Sequence, residues 1–273
     1  MFNLNGEKMM SSDILKVEIH VTENCNLNCK CCEHFSPLAS VANISADYFE
    51  SNLRKLKSVI KEDRKLNLYI LGGEPTLHPE LAQLLSISRS VFSNISIHSI
   101  RLVTNGILLN KKNDAFWKTV KEEEIIISVT EYPIDVDYDY IWKKCEEYSI
   151  KYEIFHTEIT KYMRFFPIDN KGQQNPNESF NLCPIAHRCC FLKDYKIYTC
   201  PRIPNIHYLN EAFGFNMQVS NNEYINLDSI QSEDEIWDFL NAPNDFCKYC
   251  DVKHTNMKIE WERSSKQIKE WII

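Results

Sequence analysis

Along the first 168 residues, short apolar runs of strand length alternate with longer stretches whose apolar positions return every three to four residues. Leu15–Thr22, Leu66–Leu71, Ile95–Thr104, Glu124–Thr130 and Lys151–His156 predict strands. Between them, Ser45–Lys61, Pro79–Phe92, Lys111–Lys121 and Tyr138–Tyr148 predict helices. In the second helix Leu81, Leu84, Leu85, Val91 and Phe92 fit a period near 3.6, and Pro79 stands just inside the start, where its missing N–H costs nothing. Alternating strands and helices predict βαβ units and parallel pairing. Five or six such units are too few to close an eight-fold barrel. The expected fold is therefore α/β, a partial (β/α)6 TIM-like barrel. Chemistry on such a scaffold sits at the C-terminal ends of the strands. The loop at Cys25, Gly72–Pro75, Thr104–Gly106 and Ser128–Glu131 all fall there.

The pattern changes after about Phe166. Asp169–Ser179 is rich in Asn, Gln, Gly and Pro and reads as a linker, and beyond it the chain is Cys-rich and irregular, with one clear helix at Glu233–Leu240. Residues 1–168 are thus expected to form the core and 169–273 a linker and a small Cys-rich C-terminal domain. Composition narrows the partners. A net charge of −7 over 273 residues argues against nucleic acid. The basic stretch Arg54, Lys55, Lys57, Lys61, Arg64, Lys65 shares its helix with apolar Phe49, Leu53, Leu56 and Ile60, so it predicts a solvated outer face. No apolar run is long enough for a membrane, and Met1–Asp13 lacks the apolar stretch of a signal peptide. A cytoplasmic location, with reduced thiols, is expected.

The eleven cysteines change the picture. An odd count with adjacent pairs at Cys31–Cys32 and Cys189–Cys190 does not suit a disulfide framework, and clustered Cys in a reducing compartment points to metal. Cys25-x3-Cys29-x2-Cys32 puts three thiols on one loop just after the first strand. Zinc is the competing reading, but structural zinc takes four ligands, commonly from paired C-x2-C units; the nearest fourth candidate is His34. Leu71-Gly72-Gly73-Glu74-Pro75 ends the second strand, with a Gly pair that allows a tight turn and a carboxylate beyond it.

Together these segments resemble the radical S-adenosylmethionine (SAM) superfamily. The resemblance implies that Cys25, Cys29 and Cys32 hold three irons of a [4Fe–4S] cluster whose open iron chelates SAM. Cys31 departs from the family pattern, which has an aromatic residue there; it could pack beside the cluster or act as a ligand if Cys32 is lost. Gly72, Gly73, Glu74 and Pro75 look like the family's GGEP motif, which binds the methionyl amino group of SAM. Thr104-Asn105-Gly106 is similar to a strand-end TNG near SAM, although Asn-Gly is also a favoured turn dipeptide. Ser128 is similar to a strand Ser that contacts SAM. The stretch Tyr152–His156 is a candidate for the adenine by position alone. The implied chemistry is one-electron reduction of the SAM sulfonium, C–S cleavage, and hydrogen-atom abstraction by a 5′-deoxyadenosyl radical, with a reductant such as flavodoxin or ferredoxin.

Cys183, Cys189, Cys190, Cys200, Cys247 and Cys250 form a second group. Leu192–Pro201 reads as a hairpin ending on a thiol and resembles a SPASM/twitch region with an auxiliary [4Fe–4S] cluster. The implied ligands are Cys190, Cys200, Cys247 and Cys250, with Cys183 or Cys189 as replacements for Cys190. Four-thiolate zinc would use the same residues. Tyr195 stands where the family hairpin usually carries Gly. Cys145 shares helical spacing with Ile141, Trp142 and Tyr148 and is expected in the core. Asp135, Asp137 and Asp139 suit a helix N-terminus; His156, His187, His207 and His254 show no ligand spacing.

Three functions remain in view. The first is oxidation, epimerisation or dehydration of a sugar or another small polar metabolite. The second is maturation of a ribosomally made peptide, whose leader is often read by an added N-terminal domain; only about 14 residues precede the first strand here. The third is a non-catalytic metal-binding protein, against which Cys25, Cys29, Cys32 and Glu74 weigh together.

Overall fold

In chain order the elements of the computed structural model are β1 (Ile14–Thr22), α1 (Ala46–Val59), β2 (Lys65–Gly72), α2 (Leu81–Val91), β3 (Ile97–Thr104), α3 (Asp114–Glu122), β4 (Ile125–Thr130), α4 (Tyr138–Glu147), β5 (Tyr152–Phe155), β6 (Tyr162–Phe165), α5 (Pro176–Leu182), β7 (Cys190–Lys193), β8 (Lys196–Tyr198), α6 (Arg202–Phe213), β9 (Ile225–Asn226), α7 (Glu233–Asn241) and β10 (Met257–Glu260). The structure describes residues 14–63, 65–93, 97–155, 162–186, 189–254 and 257–272. Arg64, Ile95, His156 and His187 lie outside them.

The main sheet has the order β5-β4-β3-β2-β1-β7-β8-β9. β1 to β5 are parallel neighbours, and β7 adds to the free side of β1, also parallel. Six parallel strands thus form the open wall of the expected partial barrel. The sixth is not the next strand in sequence, because β6 leaves the sheet to pair antiparallel with β10. β7, β8 and β9 then extend the wall as antiparallel strands.

Strand alternation explains the two faces. Leu15, Val17, Ile19 and Val21 of β1 are buried with Leu66, Leu68, Ile70, Ile100, Leu102, Ile125, Ile127 and Val129 against the helices. Phe49, Leu53 and Leu56 of α1, Leu84 and Leu85 of α2, Trp117 of α3, and Ile141 and Cys145 of α4 complete that layer. Cys145 is core, as its spacing predicts. Ser45, Asn113 and Asp137 each accept a hydrogen bond from a first-turn N–H and start α1, α3 and α4. Leu192, Ile197, Leu227, Ile236 and Leu240 join the same core, so the C-terminal region does not stand apart from the barrel. A second apolar group sets Phe35 of the Cys loop among Phe191, Tyr198, Ile203, Phe246 and Trp271.

The β7–β8 hairpin turns on Asp194 and Tyr195, both at positive φ (53° and 59°), as a tight two-residue hairpin turn requires. Without glycine this conformation is strained. Helix α1 holds it: Tyr48 Oη donates to Asp194 Oδ1 (2.6 Å), the Tyr195 amide donates to Asn52 Oδ1 (2.8 Å), and the Tyr195 hydroxyl meets Ser51 Oγ (3.0 Å). Asn52 is fully buried. Asn52→Ala is therefore expected to leave the Tyr195 N–H unpaired and to cost about 1–3 kcal/mol, read as a lower urea midpoint with an unchanged slope.

Candidate cofactor-binding site

β1 ends at Thr22 and the chain enters the Cys loop, which winds back through positive φ at Asn28, Cys31 and Phe35 (52°, 59° and 57°). Cys25, Cys29, Cys31 and Cys32 line a cavity of about 530 Å³ at the C-terminal ends of the strands. Gly72, Gly73, Glu74, Asn105, Thr130 and Tyr132 line it from β2, β3 and β4. Burial pushes all four thiols up, Cys29 and Cys31 to about 12. They differ in what surrounds them. Cys25 and Cys32 both act electrostatically on Cys29, and Cys32 on Cys25 and Cys31; Cys31 also has Lys30, Glu270 and Arg202 beside it. Cys31 thus differs from the other three in the charged side chains around it. Buried thiols ionise when a cationic centre binds them, which fits a metal cluster. Among the described residues, no three Cys, His, Asp or Glu side chains form a group that could hold a single metal ion.

The Gly pair answers to a different constraint from the one its sequence predicts. A Cβ on Gly72 would lie 2.2 Å from the Thr22 carbonyl oxygen, and one on Gly73 would lie 2.3 Å from that of Asn24. The Gly73 and Glu74 amides donate to those same carbonyls (2.7 and 2.8 Å). The glycines let the β2 turn lie against the start of the Cys loop, which fixes one relative to the other.

Glu74 is 1% exposed. Burial raises its pKa, opposed by donors that favour the carboxylate. Thr76 Oγ1 (2.5 Å), the Thr76 amide (3.1 Å) and Thr104 Oγ1 (2.6 Å) donate to Oε1, and the Asn105 amide (2.8 Å) donates to Oε2. Asn105 Nδ2 also donates to Asn26 Oδ1 (2.9 Å), tying the TNG turn to the Cys loop. Gly106, at φ 79°, completes that turn. Pro75 is buried and opens the short 3-10 turn that Glu74 caps. Thr104, first residue of the TNG turn, and Thr76, which was not among the sequence candidates, carry part of the site; a buried carboxylate's need for donors is the signal that would have found Thr76.

Ser128 is fully buried, and its hydroxyl donates to Glu153 Oε2 (3.2 Å) rather than lining the cavity. From β4 it is Thr130, followed by Tyr132, that reaches the cavity. Tyr152 stacks on Trp142 (4.5 Å between ring centroids) among the helices. On the inner face of the sheet lies a polar row. Glu18 of β1 stands beside Tyr69 of β2 and Arg101 of β3, whose guanidinium forks onto Glu153 (3.0 Å to each oxygen) and covers the Tyr69 ring. These four side chains are only partly buried. Below the Cys loop, His20 Nδ1 donates to Glu23 (3.2 Å), and its Nε2 meets His34 Nδ1 (3.2 Å). Burial pushes Glu23 up, but His20 and Lys193 outweigh it and hold the carboxyl at about 2; burial drops His34 to about 3.

The second group of thiols differs from its predicted membership. Cys183, Cys200, Cys247 and Cys250 line one small cavity. Burial pushes all four up, Cys183 to about 11, and Cys200 lies within electrostatic reach of the other three. Cys190 is not with them. It lies on β7 opposite Val17, its thiol donates to the Lys16 carbonyl (3.4 Å), and it packs in the barrel core. Its neighbour Cys189 donates instead to Glu18 Oε1 (2.8 Å) on the inner face. Adjacent strand residues point to opposite faces, so neither reaches the thiol cavity. Arg202, 2% exposed, lines that cavity: Nη1 donates to Cys250 Sγ (3.7 Å), Nη2 to the Phe166 carbonyl (3.0 Å) and to Glu33 Oε1 (3.4 Å), and Nε has no partner. With Glu33 as its carboxylate partner, the buried guanidinium also faces the four thiols, which is compatible with an anionic metal–thiolate group.

Residues 19–155 match the family described as the radical SAM superfamily. The chain is 31% identical over 116 residues to the 7,8-dihydro-6-hydroxymethylpterin dimethyltransferase of Methanocaldococcus jannaschii, covering 41% of this chain and 21% of that protein. It is 31% identical over 99 residues to the GTP 3',8-cyclase of Chlorobaculum tepidum, covering 36% of this chain and 28% of that protein. The alignments thus span less than a third of either relative. The crystal structure of BtrN in complex with AdoMet and 2-DOIA has a similar fold, with a TM-score of 0.51 and 15% identity over 88% of this chain and 94% of that one. That likeness of fold runs through the C-terminal region as well as the barrel. No helix among the described residues is long and apolar enough to cross a membrane.

Proposed function

The chain belongs to the radical SAM superfamily, and on that premise we propose that Cys25, Cys29 and Cys32 hold its SAM-cleaving [4Fe–4S] cluster and that its substrate is a small polar molecule bearing hydroxyl or amino groups. Membership makes it a radical SAM enzyme and implies that it binds SAM and an iron–sulfur cluster. When bound, the cluster supplies the electron that breaks a C–S bond of SAM and yields a radical strong enough to take a hydrogen atom from an unactivated carbon. The chain's own residues bind and orient. Glu74, braced by Thr76, Thr104 and Asn105, is suited to accept the amino group of SAM at the cavity wall. Cys183, Cys200, Cys247 and Cys250 are our proposed ligands for an auxiliary cluster, with Arg202 offsetting its charge.

The polar row on the inner face of the sheet carries the substrate reading. Glu18, Tyr69, Arg101 and Glu153 give the barrel interior donors and acceptors suited to a polyol or amino sugar, and an apolar core is packed on the other face. The test is anaerobic reconstitution with iron and sulfide, then SAM and dithionite. Formation of 5′-deoxyadenosine is expected, with deuterium transferred into it from a deuterated polyol or aminocyclitol. Transfer from peptides alone would overturn the small-molecule reading. An intact cluster that never yields 5′-deoxyadenosine would favour a binding protein.

Glu74→Gln is expected to weaken SAM binding by roughly 10- to 100-fold, because a hydrogen bond to a charged group is worth about 1.5–3 kcal/mol. Calorimetric titration of SAM into cluster-loaded protein reads this directly.

A further inference from the structure

The Cys29 sulfur takes a hydrogen bond from a distant element: the Trp261 indole N–H donates to Sγ at 3.2 Å. Trp261 also packs against Tyr132 of the cavity wall, with ring centroids 5.9 Å apart.

Trp261 is held there by the backbone. The Lys30 amide donates to the Glu262 carbonyl (2.9 Å), the Ser264 amide donates to the Asn28 carbonyl (2.8 Å), and Lys30 pairs with Glu262 (2.7 Å). Trp271 Nε1 donates to the Cys32 carbonyl (3.0 Å), so the C-terminal segment lies along the Cys loop at several points. Hydrogen bonds to the ligand sulfurs are among the factors that set an iron–sulfur potential. The reduced cluster carries one more electron, part of it on its sulfurs, and a donor stabilises that form.

We propose that Trp261 is a positioning residue that sets the reduction potential of the SAM-cleaving cluster: its indole N–H, aimed at the Cys29 sulfur, moves the midpoint upward and eases one-electron reduction. The proposal rests on the reading of Cys25, Cys29 and Cys32 as cluster ligands. The test is a redox titration of the reconstituted full chain, followed by electron paramagnetic resonance, using the signal that Cys25→Ala removes. Trp261→Phe keeps an aromatic ring and deletes the donor; it is expected to load as much iron as the wild type and to show a more negative midpoint.

A midpoint unchanged in Trp261→Phe at full iron loading overturns the proposal and leaves the ligand assignment standing. A signal that survives Cys25→Ala overturns the ligand assignment itself. If Trp261→Phe loads poorly, labelling the unmutated protein with 5-fluorotryptophan replaces it. The more acidic indole N–H donates more strongly, so the midpoint should rise; a midpoint that stays put or falls overturns the proposal.

Discussion

Changing any one of Cys25, Cys29 or Cys32 to Ala is expected to bring 5′-deoxyadenosine formation below detection, while Cys31→Ala keeps most of it. All four thiols are buried at one cavity, so burial does not separate them. Their neighbours do. Cys25 and Cys32 both bear on Cys29, and Cys32 on Cys25, whereas Cys31, at positive φ, lies beside Lys30, Glu270 and Arg202 as well as Cys32. A three-thiolate site that loses one ligand keeps two on a mobile metal centre, and structural metal sites are bound through their full ligand count. The measurement is iron and sulfide content beside product yield for each reconstituted variant. Retained activity in Cys32→Ala together with its loss in Cys31→Ala would exchange the two residues' roles. Activity lost in all four would make Cys31 part of the site's support.

How much of this was legible depended on the range of each interaction. The strand and helix order of the barrel follows from local periodicity, and it was readable from Leu15 to Tyr148. The Cys loop and the Gly72–Pro75 turn are contiguous segments, so spacing and residue type identify them. Long-range partners were hidden. Nothing local says that β6 pairs with β10, or that β7 docks beside β1. Trp261 lies 232 residues from Cys29, and no periodicity links them. Tyr195 in place of glycine read as a departure from the family hairpin; Tyr48, Ser51 and Asn52 of α1 supply the bonds that hold a left-handed tyrosine there. Ser128 shows the limit of a strand-position argument: the residue two further along β4, Thr130, faces the same side and reaches the cavity, while Ser128 is taken up by Glu153.

The second thiol group gives the other large effect. Cys183→Ala, Cys200→Ala, Cys247→Ala and Cys250→Ala should each remove about half of the bound iron, since each cluster contributes four irons, and Cys190→Ala and Cys189→Ala should leave it unchanged. Sequence favoured Cys190 because it stands just before the hairpin that ends at Cys200. Pairing with β1 turns its side chain into the barrel core instead, while Cys183, the residue after α5, is brought to the cavity that Cys200, Cys247 and Cys250 line. The Ser179 hydroxyl donates to the Cys250 carbonyl (2.9 Å), which fastens α5 to the C-terminal pair and brings Cys183 with it. Cys190→Ala should therefore show a small loss of stability, as for any buried side chain, and full metal. Metal analysis also decides the identity of the site. Zinc in place of the lost iron, with product formation spared, would make the second group structural. Iron lost together with product, while 5′-deoxyadenosine still forms, would place its role after SAM cleavage, at the substrate.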